Sequence, residues 1–206
     1  MLLQRIQQQF IDSADFKYQC AQLLAPAVES AIQAVLVSVT GGGKVLVCGN
    51  GASAAAAQHF AVSFIGRHER DRPELAALSL SADAAVLSGL ANDFDTRAMY
   101  ARQIRALGHA GDVLLALSTT GNAANMLAAV EAAHEREMTV VALTGGRGGR
   151  VAQLLRDTDV QVCVPHELPA RVLEVHYLVL HCICDGVDAQ LLGLPGIPVP
   201  EMENPS

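Results

Sequence analysis

Two segments of the chain end in the same kind of chemistry. Val45-Leu46-Val47-Cys48 runs into Gly49-Asn50-Gly51-Ala52-Ser53 and an Ala-rich stretch, and Val113-Leu114-Leu115-Ala116-Leu117 runs into Ser118-Thr119-Thr120-Gly121-Asn122. In each, an apolar run feeds a turn of Gly, Asn and hydroxyl residues that opens a helix. A helix start presents unpaired backbone N–H groups and a partial positive charge, and small side chains let an anion reach that backbone. The implied ligand is a phosphorylated small molecule. Gly49 to Ala54 also fits the G-x-G-x-x-A dinucleotide fingerprint, but the second strand ends in Ser79-Leu80-Ser81 where that fingerprint requires an acidic residue, and Asp83 comes only later. No G-K-[ST] occurs, which excludes a Walker loop.

Parallel strands buried on both faces must carry these turns. Val45 to Cys48, Ala76 to Leu80, Val113 to Leu117, Thr139 to Leu143 and Val160 to Val164 are continuous rather than alternating apolar runs, separated by helical stretches. The fold is therefore α/β in three layers, with the ligand beyond the carboxyl ends of the strands. Residues 1–40 read as N-terminal helices, broken near Pro26, whose apolar stripes need a surface such as another copy of the chain. Residues 41–192 read as one domain. A glycine-rich third loop, Thr144 to Arg150, follows the fourth strand, with Arg147 and Arg150 as surface charges. Pro169 opens the last helix, and residues 193–206 form a Pro-rich tail. Leu191 and Leu192, with Leu194, make an apolar cluster just before that tail and are the candidate partner-binding residues.

The chain has 206 residues, enough for one domain with a full core; 51% are hydrophobic but only 4% aromatic, so Ala, Val and Leu must build that core. A formal net charge of −7 without a Lys/Arg cluster excludes a direct grip on nucleic acid. Five cysteines without a C-x-x-C pair fit core thiols in a reducing cytoplasm. No apolar run reaches the roughly 18 residues of a membrane span, and the N-terminus lacks a signal-like apolar segment.

Cys48-Gly49-Asn50-Gly51-Ala52-Ser53 with Gln58-His59-Phe60, then Ala91-Asn92-Asp93, Ser118-Thr119-Thr120-Gly121-Asn122 and Ala142-Leu143-Thr144-Gly145 together resemble the sugar isomerase (SIS) family, in the branch holding phosphoheptose isomerases and DnaA initiator-associating proteins, and closer to the latter by Ser63 and the Ala101 to Ala116 stretch. The resemblance implies a five-stranded SIS domain, a homotetramer, and a phosphosugar held by Asn50, Gly51, Ser53, Asp93, Ser118, Thr119, Thr120, Gly121 and Asn122. The isomerases of that branch carry H-x-x-x-E on one helix and Q-x-x-x-x-x-x-x-H on a late one, and the four side chains together can hold zinc. Here the positions read His59, Ser63, Leu173 and His181. A ketose–aldose isomerisation needs an ionisable base within reach of the substrate, which Ser63 does not supply, and two histidines make a poor zinc site. The expectation is thus a non-catalytic phosphosugar-binding tetramer without cofactor, binding the DnaA initiator and promoting replication initiation, with no confident catalytic residue. The alternative is a sedoheptulose 7-phosphate isomerase of heptose and lipopolysaccharide biosynthesis, using His59 and His181, for which alone zinc enters.

Overall fold

The five apolar runs pair into one parallel sheet of order β2-β1-β3-β4-β5 in a computed structural model that describes residues 1–195. The strands are β1 (Val45–Gly49), β2 (Ala77–Ser79), β3 (Val113–Ser118), β4 (Thr139–Gly145) and β5 (Val160–Val164), each within two residues of its expected bounds. Every residue of β1 and β3 is buried, as the unbroken apolar runs require. From β1 the chain steps outward to β2, then returns to place β3 on the other side of β1. That reversal leaves a crevice between the ends of β1 and β3. Register puts Gly49 level with Leu117, so the two Gly/Ser turns leave the sheet side by side at this switch point.

Helices α1 (Leu2–Thr40), α2 (Ala52–Ile65) and α7 (Pro169–Leu192) cover one face, where Phe60, Phe64, Val175, Leu180 and Ile183 join the core. On the opposite face lie α3 (Ala84–Asp93), α4 (Met99–Leu107), α5 (Ala124–Glu135) and the single turn α6 (Val151–Leu154), around Tyr100, Ile104, Met126 and Val130. Alanines at Ala56, Ala57, Ala129, Ala132 and Ala133 are fully buried and let the helices sit close to the sheet.

Residues 2–40 form one helix, not helices broken near Pro26. Cys20, Leu24, Val28, Ala31 and Val35 run through Pro26 in unbroken helical spacing and all reach the core. Burial on both sides of Pro26 keeps the helix continuous through the lost N–H. Pro26 is itself exposed, so water can satisfy the carbonyl it frees. By length and composition α1 is also long and apolar enough to cross a membrane. Its stripe is spent on α7 and the sheet instead. Its first half is tied to α7: Ser13 donates to Glu174 Oε2 at 2.6 Å, and Arg171, paired with Glu174, donates to the backbone and side chain of Gln9.

Pro169 occupies the first turn of α7, and Gly193, at φ 61°, closes it in the left-handed region. Leu191 and Leu192 remain more than one-third exposed. Of the expected Pro-rich tail, residues 196–206 lie outside the described residues.

His176 lies on α7 with none of its surface exposed. Its Nε2 faces the Thr144 carbonyl at 3.1 Å, and its Nδ1 has no hydrogen-bond partner. Burial pushes its pKa down from 6.5 to about 4, against a smaller upward pull from Thr144. The unfolded chain therefore takes up this proton first as pH falls, and stability is lost between about pH 6.5 and 4, by up to ~3 kcal/mol. Urea midpoints should fall more steeply over that window in the parent than in His176→Asn; parallel slopes would refute the assignment.

Candidate functional site

The first turn is built by Gly51, whose φ of 56° and ψ of −120° suit glycine, and it feeds directly into α2 with no side-chain cap. Ser53 is buried in the first turn of α2. Asn50 faces α5 across the crevice: its amide donates to Asn125 Oδ1 at 2.9 Å, and Asn125 Nδ2 donates back to Asn50 Oδ1 at 2.8 Å. Behind the turn, Tyr100 and Ser81 both donate to the Gly49 carbonyl. The two loops are thus clasped at their mouths and braced from below.

In the second turn, Ser118 Oγ accepts from the Gly121 N–H at 3.1 Å and the Asn122 amide donates to the Thr120 carbonyl. Gly121 has φ 65°, and a Cβ there would fall on the Gly148 carbonyl oxygen, so only glycine lets the third loop press against the second. Asn122 Oδ1 and the Gly121 carbonyl accept from the N–H groups of Arg150 and Val151 and complete that contact. Arg147 stays exposed beside a cavity of about 320 Å³ that the second loop shares with His166 and Glu167.

Strand register therefore sets the two turns side by side, with Asn50 reaching Asn125 just beyond the second, while Thr119, Thr120 and Asn122 line the cavity shared with the third loop. The structure does not join Asp93 to them: this residue ends α3, exposed, with Oδ1 accepting from Asn92. Asp83, the acidic residue too late for a dinucleotide fingerprint, caps α3 through the N–H groups of Ala85 and Val86. Neither α2 nor α5 has a side-chain cap, so no side chain competes for the N–H groups at their starts, although those of Ser53, Ala54 and Met126 already donate to the Asn50, Gly51 and Ala123 carbonyls. Ser53→Ala with Ser118→Ala is expected to abolish the thermal stabilisation produced by sugar phosphates; an unchanged shift in a thermal-shift titration would remove the phosphate from these loops.

Six residues after Ser53, about 9 Å along the helix axis, α2 carries His59. Its Nε2 lies 2.8 Å from Nε2 of His181 on α7, so one imidazole donates to the other. Both rings are half-buried, and Tyr177 leans over His59 with ring centroids 5.6 Å apart. A third imidazole, His68 from the connection after α2, lies 5.3 Å from His181 by centroid. Burial lowers the pKa of His181, and His59 and His68 lower it further, with Glu69 opposing. His181 is held neutral near pH 7, the form that accepts a proton.

Ser63 is buried and turned back on its own helix, donating to the His59 carbonyl at 3.0 Å. Leu173 is half-buried and brings no polar atom. Glu174 offers no substitute, because its two carboxylate oxygens are engaged by Arg171 and Ser13. Sequence reasoning missed His68 and Asn125. His68 lies in an irregular Arg-His-Glu-Arg stretch without periodicity, whereas Asn125, at the start of α5, shared the helix-opening signal of its loop.

Residues 9–145 match the family model described as SIS domain. A phosphoheptose isomerase from Methylibium petroleiphilum is 58% identical over 193 residues, covering 94% of this chain and 96% of the relative. Another, from Aromatoleum aromaticum, is 50% identical over 94% of this chain and 98% of the relative. Among solved structures, phosphoheptose isomerase GmhA from Neisseria gonorrhoeae superposes with a TM-score of 0.87 at 43% identity, covering 92% of this chain and all of that one. A phosphoheptose isomerase from Francisella tularensis gives 0.88 at 39%, covering 91% and 98%. These relatives overturn the expectation of a non-catalytic protein that binds the DnaA initiator. Ser63 and Leu173 argued against catalysis, but similarity to isomerases extends along nearly the whole chain, and the surviving histidines are in contact. The initiator as a partner for Leu191 and Leu192 falls with that reading.

Proposed function

The chain belongs to the SIS domain family, and on that premise we propose that it is a phosphosugar isomerase of the phosphoheptose isomerase type, interconverting sedoheptulose 7-phosphate and an aldoheptose phosphate. The observation that carries this reading is the spacing of two chemistries on α2. The phosphate turns sit at its start, and an imidazole pair sits about 9 Å further along. An open seven-carbon chain, advancing about 1.3 Å per bond of ~1.5 Å, spans that gap with its phosphate on the loops and its reacting carbons at the histidines.

In this arrangement the backbone N–H groups of α2 and α5, with Ser53, Ser118, Thr119 and Thr120, hold the phosphate. Asn50 and Gly51 line the crevice, and Asp93, exposed at the end of α3, takes no part. With the His59–His181 hydrogen bond opened by the substrate so that both lone pairs are free, neutral His181 takes the proton from the carbon beside the carbonyl and returns it to the adjacent carbon, while His59 passes a proton between the two oxygens. Assembly as a homotetramer is part of the same reading, supported by the exposed Leu2, Leu3, Ile6 and Phe10 on α1. A cytoplasmic location is supported by five free cysteines. Purified protein incubated with sedoheptulose 7-phosphate should yield the aldose, followed by proton NMR; no product on prolonged incubation would overturn the proposal.

A further inference from the structure

We propose that this site works without a metal: His59 and His181 are joined by one shared hydrogen rather than by a cation, and imidazole alone carries the proton transfers. The inference rests on the isomerase reading and concerns the zinc that the resemblance attaches to the positions of His59, Ser63, Leu173 and His181. The donors at those positions do not fit zinc. Ser63 supplies a neutral hydroxyl already committed to the His59 carbonyl, and Leu173 supplies nothing. Among the described residues no carboxylate forms an ion pair with either imidazole: Glu69 acts on His181 only through its charge, and Glu174 is held by Arg171 and Ser13. His68 does not complete a set: among the described residues no trio of His, Cys, Asp or Glu is arranged to hold a metal ion.

The distance between the imidazoles points the same way. Two nitrogens on one tetrahedral zinc, each about 2.0–2.1 Å from the metal, lie roughly 3.3 Å apart. The Nε2 atoms here are 2.8 Å apart, the length of an N–H···N hydrogen bond. The accepting lone pair in that bond is the one a cation would need, so zinc must first break the pair and then stay with two protein ligands. The loss of the carboxylate at 63 and of the amide at 173 thus removes the metal and leaves the imidazole pair as the acid–base group.

The test reads metal directly. The full-length parent, equilibrated with zinc and dialysed, is expected to hold no stoichiometric zinc by mass spectrometry and to give no tetrahedral cobalt absorption with Co²⁺. In ¹⁵N spectra of neutral imidazole, one of the two Nε2 atoms should carry hydrogen and the other none. Ser63→Glu with Leu173→Gln should gain one equivalent of zinc. A parent that retains one zinc per chain, released by His59→Ala, would overturn the inference, as would a double variant that folds by circular dichroism yet takes up no more zinc than the parent. Should the double variant fail to fold, the parent's zinc content decides alone. These measurements need no substrate. A zinc-dependent parent that turns over the heptose phosphate overturns this inference and leaves the proposed function standing; a metal-free parent without turnover overturns the proposed function and the proton-transfer role of the imidazoles, and leaves standing only that the site holds no metal.

Discussion

Asp188→Ala is expected to destabilise the protein by about 3–5 kcal/mol, the cost of stranding a buried charge. Asp188 on α7 accepts from Arg72 Nε at 2.6 Å, and the two side chains are 4% and 0% exposed. The same guanidinium donates to the Ser63, Phe64 and Pro73 carbonyls, so it caps the open end of α2 as well as pairing with α7. Removing the carboxylate leaves a cation that water cannot reach, served by carbonyl dipoles alone. Replacing both partners, Arg72→Met with Asp188→Leu, should recover part of the loss by removing the stranded charge, at the expense of the α2 cap. Urea denaturation measures both, and a loss under about 1 kcal/mol in Asp188→Ala would show that the pair is not isolated from solvent. The pair also sets the spacing between the helices that carry His59 and His181, so turnover should fall along with stability.

His59→Ala and His181→Ala are each expected to lower kcat for the heptose phosphate by ~10²–10⁴-fold, the usual worth of general acid–base catalysis. Because the two rings act through one hydrogen bond, the double variant should be little worse than either single one. The phosphate loops are untouched, so KM should change far less than kcat. Equal loss in KM would make the histidines binding groups; full activity in the double variant would place the base elsewhere in the crevice.

The sheet was legible because parallel strands must be apolar on both faces. Val45 to Cys48 and Val113 to Leu117 could be read as buried strands before any helix was placed, and Pro169 marked the start of α7. Pro26 misled: its local cost is real, but Cys20, Leu24, Val28 and Ala31 bury in one register across it, and only the tertiary partner reveals that. The loop chemistry was likewise local and readable. The imidazole pair was partly readable, since helix spacing fixes His59 relative to Ser53, whereas its contact with His181, 122 positions away, is a property of how α2 packs on α7. Ser63 and Leu173 mislead about function, because two positions weigh less than similarity to isomerases along nearly the whole chain. The carboxylate and amide missing there argue against a metal more directly than against catalysis.

The bonds that fasten α1 to α7 have a consequence for how the chain is born. Ser13 with Glu174 and Gln9 with Arg171 join residues 161 and 162 positions apart, so the first half of the first helix made cannot be fastened until the last one exists. At about 5–20 residues per second, the ribosome takes roughly 6–26 s to travel from Thr40 to Pro169. Throughout that interval the part of the α1 stripe that α7 covers stays in water. The nascent protein is therefore most vulnerable to aggregation before its sheet is complete, and a circular permutant in which α7 is synthesised immediately before α1 would pair the two helices at the outset.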